Sequence, residues 1–524
     1  MHPLGKLDHQ FIWHPFTQMR DWLEREPIVI AAAKGAVLRD VHGREFLDAN
    51  SSMWTNLHGH NHPKINLAIR RQLKNIAHSS ALGLANGPAA LLAEKLAEAA
   101  NPEGYDSRQT LEPRGHRRGR KSRTVNRTLS KVFFSDDGST AMEVALKLAY
   151  EFARRTGHSR RPRFLSLEGA YHGDTMGAVA LGHIDLFHRA YSGLAFRTDK
   201  VMAPYCYRCP FNRAKAERAD ARDYRKCNWE CVGKLEQKFE IQKKKGNPYA
   251  GFVVEPLMQG AAGMVPQPAG WLRRAAEIAT GHGAQFIADE VMTGFGRTGS
   301  APANVTVMDG KRSDRAGENP RFSRLPTSSP TRSLSPTPHL FACHREGVQP
   351  DFLALAKGMT GGYLPMAATL TTQAVFDEFL GEYDEFKTFF HGHSYTANQL
   401  GATAALASLE ILQSPGSIRA RQRLEQTLHD ELKSLWTLPK VGDIRQVGLV
   451  AGVELVKDWR SRAPFELRER AGIRVCEGMA KRGVLTRPIG NVVVLMPPYG
   501  ATSAQVRRMV AALREAVAGE WVNG

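Results

Sequence analysis

The segment 131–155, KVFFSDDGSTAMEVALKLAYEFARR, places an apolar strand, a polar turn and an amphipathic helix in direct succession. Apolar side chains in the helical part recur at spacings of three and four residues, which predicts one buried face. These residues are Ala141, Val144, Ala145, Leu148, Ala149 and Phe152. A strand that leads directly into such a helix indicates a sheet covered by helices.

The same alternation recurs along the next 240 residues. The apolar stretches RFLSL (163–167), GFVVEP (251–256) and QFIADE (285–290) each lead into a polar or glycine-rich segment, and PMAATLT (365–371) adds a further strand. Continuous apolar strands between helices are typical of a mostly parallel sheet that is covered on both faces. We therefore predict an α/β fold whose ligand site lies beyond the carboxyl ends of the strands.

The chain is expected to form two domains. Residues 76–395 are predicted to form a large domain around the central sheet, and residues 396–524 a smaller α+β domain. A long amphipathic helix around 421–436 and a closing helix at 503–521 belong to the smaller domain. Residues 1–75 are predicted to be an N-terminal segment that joins this smaller domain.

Composition excludes several classes of protein. Of the 524 residues 42% are hydrophobic, which is ordinary for a folded globular chain. The sequence contains no run of about 18 apolar residues, so no membrane span is predicted. The N-terminal MHPLGKLDHQFIWHPF has no apolar signal core, so a cytoplasmic protein is expected.

The charge balance raises the question of nucleic acid. The 71 Lys and Arg residues exceed the 52 Asp and Glu residues by 19. Much of the excess lies in two insertions, 106–130 and 301–339, which lack apolar periodicity and are predicted to be solvated loops or disordered segments. Because the excess is concentrated in such segments, no nucleic-acid partner is expected.

Four of the six cysteines cluster in sequence. Cys206 and Cys209 lie in YCYRCP, and Cys227 and Cys231 lie in KCNWEC. Two pairs at these spacings resemble a structural zinc site. The alternative is a group of reduced, partly buried thiols. We prefer the thiols and expect no metal, and the zinc question stays open at this stage.

Four features carry chemistry when they are taken together. Gly138 and Ser139 open a helix whose first N–H groups can hold an anion, although the same pattern is an ordinary helix cap. Asp289 ends an apolar strand, where a salt bridge would also explain it. Tyr171 offers a ring that could equally serve packing. Lys357 lies in an apolar, glycine-rich stretch, where its amine should become nucleophilic.

One cofactor requires all four features. Pyridoxal 5'-phosphate needs a Schiff-base lysine, a carboxylate on its pyridinium nitrogen, a phosphate cradle and an aromatic ring that stacks on it. The lysine can also shuttle the proton of the substrate. The sequence therefore predicts a pyridoxal-phosphate enzyme.

With these residues in place, the chain resembles the class III, fold-type I aminotransferases over nearly its whole length, apart from the two insertions. IADEVMTGFGRTG (287–299) and ALAKGMTGG (354–362) carry the resemblance to the class. The segments that resemble its biotin-synthesis branch are IWHPFTQM (12–19), SSMWTNLHGHNHP (51–63), FFHGHSYTANQLG (389–401) and RPIGN (487–491).

The resemblance implies transamination of 8-amino-7-oxononanoate to 7,8-diaminononanoate with S-adenosylmethionine as the amino donor. Two alternatives within the class stay open: lysine as the donor, or an ω-aminotransferase that acts on ornithine, 4-aminobutyrate or a diamine. An RNA-associated protein on an inactive aminotransferase scaffold is a rival from a different class. Intact Lys357 and Asp289 argue against that rival.

The resemblance also implies cofactor contacts. Lys357 would be the Schiff-base lysine, and Asp289 would pair with the pyridinium nitrogen. Gly138 and Ser139 would bind the cofactor phosphate. Tyr171 would cover the cofactor ring and border the substrate.

Further contacts are implied for the partner subunit and the substrate. His393 and Ser394 would reach the phosphate from a neighbouring subunit, which implies a homodimer with shared active sites. Trp54 and Gly392 would line the substrate pocket. Arg487 would bind the carboxylate of the oxononanoate, a use suited to a planar guanidinium.

The chain departs from the family pattern at three places. Phe16, another residue of the expected substrate pocket, replaces a tyrosine that many relatives have, and Met53 replaces the first of two adjacent tryptophans. Both changes alter the wall on the side that receives the amino donor. The insertion 301–339 also separates Asp289 from Lys357 by more residues than usual.

Overall fold

A computed structural model of the protein describes residues 1–102, 108–111, 123–299 and 339–521. The strands are β1 Ile30–Lys34, β2 Val37–Asp40, β3 Glu45–Asp48, β4 Arg108–Leu111, β5 Arg123–Asn126, β6 Leu129–Ser135, β7 Phe164–Leu167, β8 Asp199–Val201, β9 Gly251–Val254, β10 Met258–Gln259, β11 Val265–Pro266, β12 Gln285–Asp289, β13 Phe352–Leu355, β14 Ala367–Thr372, β15 Val441–Val447, β16 Val450–Asp458, β17 Ala463–Pro464, β18 Val484–Leu485, β19 Pro488–Ile489 and β20 Val492–Leu495.

The helices are α1 Pro3–Phe11, α2 Met19–Leu23, α3 Ser51–Trp54 (a single left-handed turn), α4 Pro63–Leu73, α5 Gly87–Ala100, α6 Gly138–Arg155, α7 Met176–Leu181, α8 Asp185–His188, α9 Ala221–Tyr224, α10 Glu230–Lys244, α11 Trp271–Gly281, α12 Gln373–Asp377, α13 Gln399–Gln413, α14 Pro415–Leu432, α15 Ala471–Lys481 and α16 Ser503–Glu520. Within the described ranges, no helix combines the length and the apolar character needed to cross a membrane.

The centre of the molecule is a seven-stranded sheet in the order β6-β14-β13-β12-β9-β7-β8. Strand β14 runs antiparallel to both of its neighbours, and the other strand pairs are parallel. The predicted α/β fold with a mostly parallel sheet is therefore confirmed. Because β14 reverses direction, β6 and β13 on its two sides point the same way, so their carboxyl ends lie at one edge of the sheet.

Both faces of this sheet are buried, as the apolar strand sequences predict. Successive residues of a strand point to opposite faces. Val253 and Ile287 accordingly pack with the buried face of α6 on one side, while Phe252 and Phe286 join a second cluster on the other side. This double burial explains why these strands contain apolar runs rather than an alternating pattern.

The N-terminal strands pair with the C-terminal part of the chain. β1, β2 and β3 form a small antiparallel sheet, and β18 extends it by running parallel to β3. A separate five-stranded sheet has the order β15-β16-β20-β19, with β17 also paired to β16, and it packs with α14, α15 and α16. The pairing of β3 with β18 is consistent with the expected association of residues 1–75 with the smaller domain. The domain boundaries at 75 and 395 stay predictions.

The expectation of a solvated loop over 106–130 is wrong at its described ends. Strands β4 and β5 pair antiparallel there. Arg127 is buried, and its Nε lies 3.2 Å from Oδ1 of Asp351. A buried guanidinium needs such a carboxylate, so the segment is tied to the large domain just before β6. The rest of this insertion, and the insertion 301–339 apart from His339, lie outside the described residues.

Leu353 of β13 tests the placement of the central sheet, because its side chain is fully buried four residues before Lys357. We expect Leu353→Ala to lower the free energy of unfolding by about 2–5 kcal/mol, since it leaves a cavity in a packed core. Urea unfolding measures this loss. The control is Leu467→Ala, which removes a side chain that is 69% exposed and should change stability by less than about 0.5 kcal/mol. Equal losses for the two variants would contradict the placement of β13.

Candidate active site

A cavity of about 740 Å³ opens where the carboxyl ends of β6, β9, β12 and β13 meet. Its lining includes the following residues that the sequence singled out: Trp54, Gly138, Ser139, Tyr171, Asp289 and Lys357. These six residues, predicted from separate parts of the sequence, therefore line one cavity, and their individual roles stay predictions. The reason is topological, because parallel strands deliver their ends to one edge of the sheet.

Lys357 lies two residues beyond β13 and begins a short 3₁₀ turn with a φ of 37°. Burial lowers the pKa of its amine, although the carboxylates of Asp289 and Glu255 oppose that shift. The Nζ atom lies 5.0 Å from the centre of the Trp54 ring. An amine held in this way is available as a nucleophile at a lower pH than an exposed lysine.

Asp289 ends β12 and is almost completely buried. Nδ1 of His172 donates to Oδ2 of Asp289 at 2.7 Å, and the backbone N–H of Val291 donates to Oδ1 at 3.1 Å. The side chain of His172 is itself inaccessible to solvent. Two donors from different segments therefore fix the orientation of this carboxylate, which lines the cavity together with Lys357.

The start of helix α6 forms a polar wall of the same cavity. Asp137 caps the helix by accepting the N–H of Thr140 at 2.9 Å. A Cβ added to Gly138 would lie 2.5 Å from Cγ1 of Val291, so glycine is needed for the close approach of these two segments. Ser139 accepts the N–H of Thr175 at 2.9 Å. A helix start of this kind is suited to bind phosphate.

Tyr171 forms an aromatic wall and is held by two carboxylates. Its hydroxyl donates to Oδ2 of Asp174 at 2.6 Å, and its backbone N–H donates to Oε1 of Glu255 at 3.3 Å. Burial, together with the Asp174 carboxylate, raises the pKa of the Tyr171 hydroxyl far above its ordinary value. The ring therefore remains neutral across the physiological range.

Glu255 is a site residue that the sequence argument did not single out. It follows β9, accepts the N–H of Gly260 at 2.8 Å and lines the cavity. Burial raises its pKa to about 7. The signal was present, because GFVVEP places a carboxylate at a strand end in the same way that QFIADE places Asp289.

Arg487 and Phe16 lie in an adjacent cavity of about 490 Å³ rather than in the first one. The ring of Phe16, from this second cavity, packs edge to face with the ring of Tyr171, from the first, and the ring centres are 6.4 Å apart. Arg487 follows β18 and is exposed. The structure thus brings Lys357, Asp289 and Tyr171 together and places Arg487 beyond Phe16.

Gly392, His393 and Ser394 line neither of these two cavities in their own chain. Nδ1 of His393 lies 2.9 Å from Oδ2 of Asp136, and the carbonyl of Ser394 lies 2.9 Å from Nε2 of His78. Gly392 is exposed. Their expected roles, which involve a neighbouring subunit and the substrate, stay predictions.

The four clustered cysteines line one small cavity, and all of them are free thiols. Burial raises the pKa of Cys206 to about 12 and that of Cys231 to about 11. Thiols with such values remain protonated and are poor nucleophiles. Among the residues that the structure describes, no group of three or more His, Cys, Asp or Glu side chains is arranged to hold a metal ion.

The chain belongs to the aminotransferase class-III family, which matches residues 19–310 and 334–517. Membership makes it a pyridoxal-phosphate-dependent aminotransferase, as the resemblance implied. The adenosylmethionine-8-amino-7-oxononanoate aminotransferase of Geobacter sulfurreducens is 41% identical over 510 residues, which are 97% of this chain and 96% of that protein. The protein of the same name from Nitratidesulfovibrio vulgaris is 43% identical over 517 residues, which are 98% of this chain and 81% of that protein.

Solved structures support the same fold. The adenosylmethionine-8-amino-7-oxononanoate aminotransferase of Methanocaldococcus jannaschii superposes with a TM-score of 0.79 at 34% identity, covering 98% of each chain. An amine transaminase from an uncultivated Pseudomonas species, solved with pyridoxal phosphate bound, has a TM-score of 0.78 at 28% identity and covers 97% of this chain and 98% of its own. The predicted fold-type I architecture is confirmed.

The residues of the first cavity fit pyridoxal 5'-phosphate. A buried amine, a fixed carboxylate, a helix start that admits only glycine and a neutral aromatic wall face one space. These are the four groups that the cofactor requires. The chemistry of the donor set, rather than the family name alone, therefore supports this cofactor.

Gly138→Ala tests the phosphate cradle. The added methyl would collide with Val291, and overpacking of this kind costs about 1–3 kcal/mol. We expect the apparent Kd for pyridoxal 5'-phosphate, measured by absorbance titration, to rise about tenfold or more. The matched control is Gly87→Ala, which adds a methyl at the first residue of α5, where no atom lies within 4 Å. An unchanged Kd for Gly138→Ala would remove α6 from the cofactor site.

Proposed function

We propose that this aminotransferase converts 8-amino-7-oxononanoate to 7,8-diaminononanoate in biotin biosynthesis, with S-adenosylmethionine as the amino donor. The observation that carries the proposal is the 41% identity, over 97% of the chain, to the Geobacter sulfurreducens enzyme whose name states this donor and acceptor. Motifs of the biotin branch also border both cavities. Trp54 borders the first cavity, and Phe16 borders the second.

Bound pyridoxal 5'-phosphate supplies an electron sink for the substrate carbon that loses its proton. Lys357 is the residue whose amine would hold the cofactor covalently, since it is the buried lysine that lines this cavity. The free amine of Lys357 would serve as the base that moves the proton of the substrate carbon. Its lowered pKa suits it to act as this base.

The other cavity residues orient the cofactor. Asp289 would accept a hydrogen bond from the protonated ring nitrogen of the cofactor, and His172 holds that carboxylate in place. Gly138 and Ser139 bind the phosphate with the start of α6. Tyr171 would cover one side of the cofactor ring while its hydroxyl stays bonded to Asp174.

Arg487 is proposed to bind the acceptor carboxylate. That carboxylate is separated from the reacting keto carbon by a run of methylene groups, so its site must lie away from Lys357. Arg487 meets this requirement from the second cavity, beyond Phe16. Among the described residues it forms no ion pair, whereas Arg470 in the same cavity is paired with Asp21 at 2.6 Å.

The active unit is proposed to be a homodimer in which His393 and Ser394 of one subunit reach the cofactor phosphate of the other. In support, neither residue lines its own chain's first cavity. Phe390 and Tyr395 beside them are 71% and 62% exposed, and a neighbouring subunit at this position would cover both aromatic residues. The cytoplasmic location and the absence of a nucleic-acid partner remain predictions.

An absorbance spectrum of the purified protein tests the donor. We expect a near-ultraviolet or visible band from the cofactor linked to Lys357, and S-adenosylmethionine should remove it as the donor gives up its amine. Lysine added alone should leave the band unchanged. Lys357→Ala is the control and should lack the band.

Other outcomes of this experiment separate the alternatives. Loss of the band with lysine alone would make lysine the donor. A band that neither compound removes, but that an unrelated diamine removes, would favour an ω-aminotransferase. A protein that never gains a band when pyridoxal 5'-phosphate is added would contradict the assignment of Lys357.

Arg487→Ala tests the acceptor site. Loss of a charge-assisted hydrogen bond should raise the KM for 8-amino-7-oxononanoate about 10- to 100-fold, with a much smaller effect on the donor half-reaction. Arg470→Ala is the matched control, because its guanidinium lines the same cavity but is already occupied by Asp21. If both variants raise the KM equally, Arg487 has no special role in acceptor binding.

A further inference from the structure

The backbone immediately before the first cavity is strained. Four consecutive residues, Ser51 to Trp54, have φ values of 46°, 59°, 126° and 72°. None of them is glycine, so each side chain is held in the left-handed region that sterics disfavour. Such a run persists only where the surrounding structure determines the conformation.

The carboxylate of Asp48 is the group that holds this turn. Its side chain is 4% exposed. Oδ1 accepts the backbone N–H of Asn50 at 3.1 Å, and Oδ2 accepts the backbone N–H of Ser52 at 2.9 Å. Nε2 of His60 lies 2.9 Å from Oδ2. Both oxygens are therefore used, and two of the donors belong to the strained turn or its entry.

His60 can serve only as a donor to Asp48. Nδ2 of Asn56 lies 3.0 Å from Nδ1 of His60, so Nδ1 accepts that bond and Nε2 carries the proton. Burial acts to raise the pKa of Asp48, but the hydrogen bonds from His60 and from the Ser52 and Asn50 backbone outweigh it and lower that pKa. Asp48 is therefore an ionised acceptor at neutral pH.

The base of the turn is anchored at a junction of two parts of the fold. Asp48 is the last residue of β3 and pairs with Leu485 of β18. The N–H groups of Asp48 and Ala49 donate to the carbonyls of Ala36 and Leu485, each at 2.9 Å. The carboxylate thus projects from a backbone that neighbouring strands hold on both sides.

The turn ends in Trp54, which faces the reactive amine. Nε1 of its indole donates to Oδ1 of Asn50 at 2.9 Å, and the ring lines the first cavity. The ring centre lies 5.0 Å from Nζ of Lys357. An ammonium at this distance from an indole face is stabilised by the ring quadrupole.

We propose that Asp48 is a positioning residue that, through the Ser51–Trp54 turn, sets the indole of Trp54 over the amine of Lys357. The consequence for catalysis rests on the proposed role of Lys357. With the cofactor bound, the indole would restrict the position of the free Lys357 amine and stabilise its protonated form. An asparagine at position 48 cannot replace the carboxylate, because its NH₂ group is a donor and would face another donor, either a backbone N–H or the Nε2–H of His60.

Fluorine NMR of the purified holoenzyme labelled with 5-fluorotryptophan tests the geometry directly. The chain has 8 tryptophans, and Trp54→Phe identifies the resonance of Trp54. Asp48→Asn should shift or broaden that resonance. Asp40→Asn is the matched control, because Asp40 is also buried and accepts two backbone N–H groups in the same sheet, from His42 and Arg44. The control should leave the Trp54 resonance in place.

A double-mutant cycle tests whether Asp48 acts through Trp54. We expect Asp48→Asn to lower kcat/KM about 10- to 100-fold, the scale of a misplacement near 1 Å. If it acts through the indole, adding it to Trp54→Phe should lower kcat/KM by no more than about twofold further. Losses that multiply would overturn the proposal, and so would an unshifted Trp54 resonance in Asp48→Asn.

A second variant covers the case in which Asp48→Asn does not fold. His60→Gln removes the imidazole donor and leaves the Asp48 carboxylate and its backbone bonds intact, so a smaller shift of the same resonance is expected. No shift in that variant would count against the network. The NMR result does not depend on the substrate. A shifted resonance in an enzyme inactive on 8-amino-7-oxononanoate would therefore refute the proposed function and leave the positioning role standing.

Discussion

The burial of one amine at the end of a central strand is the constraint on which the rest of the site depends. Lys357 follows β13, which is covered on both faces, and burial lowers the pKa of its amine. An amine in such a place is tolerated because carboxylates lie nearby. Asp289 and Glu255 supply them from β12 and β9, the next two strands of the sheet. The parallel order of these strands therefore creates the electrostatics of the cavity.

The walls around that amine come from parts of the chain that are distant in sequence. Trp54 enters from the N-terminal segment, and Tyr171 from the loop after β7. Arg487 follows β18, which pairs with the N-terminal β3. In this pairing Asp48 is the last residue of β3, and Arg487 lies two residues after β18. The contact between the N-terminal segment and the C-terminal domain thus positions Trp54 near the amine of Lys357 and also positions Arg487 in the proposed acceptor site.

Sequence patterns predicted the core of the site because each signal is local. An apolar strand followed by a carboxylate located Asp289, and a strand followed by a glycine-opened helix located Gly138 and Ser139. The same local rule could have located Glu255. Prediction failed where long-range pairing decides the outcome. The basic composition of 106–130 predicted a solvated loop or a disordered segment. Arg127, near the C-terminal end of this segment, is instead buried and pairs with Asp351, which lies 224 residues later in the sequence.

The sequence by itself determined the class of fold, and it singled out Lys357, Asp289 and Tyr171 as candidate site residues, because strand burial and residue type can be recognised from short stretches of sequence. The tertiary structure alone decided which strand ends meet, that Arg487 lines a second cavity with Phe16 rather than the cavity of Lys357, and that Asp48 accepts hydrogen bonds from the left-handed turn that contains Trp54. These are distances between segments far apart along the chain. They depend on sheet order and strand register, which no local pattern of residues contains.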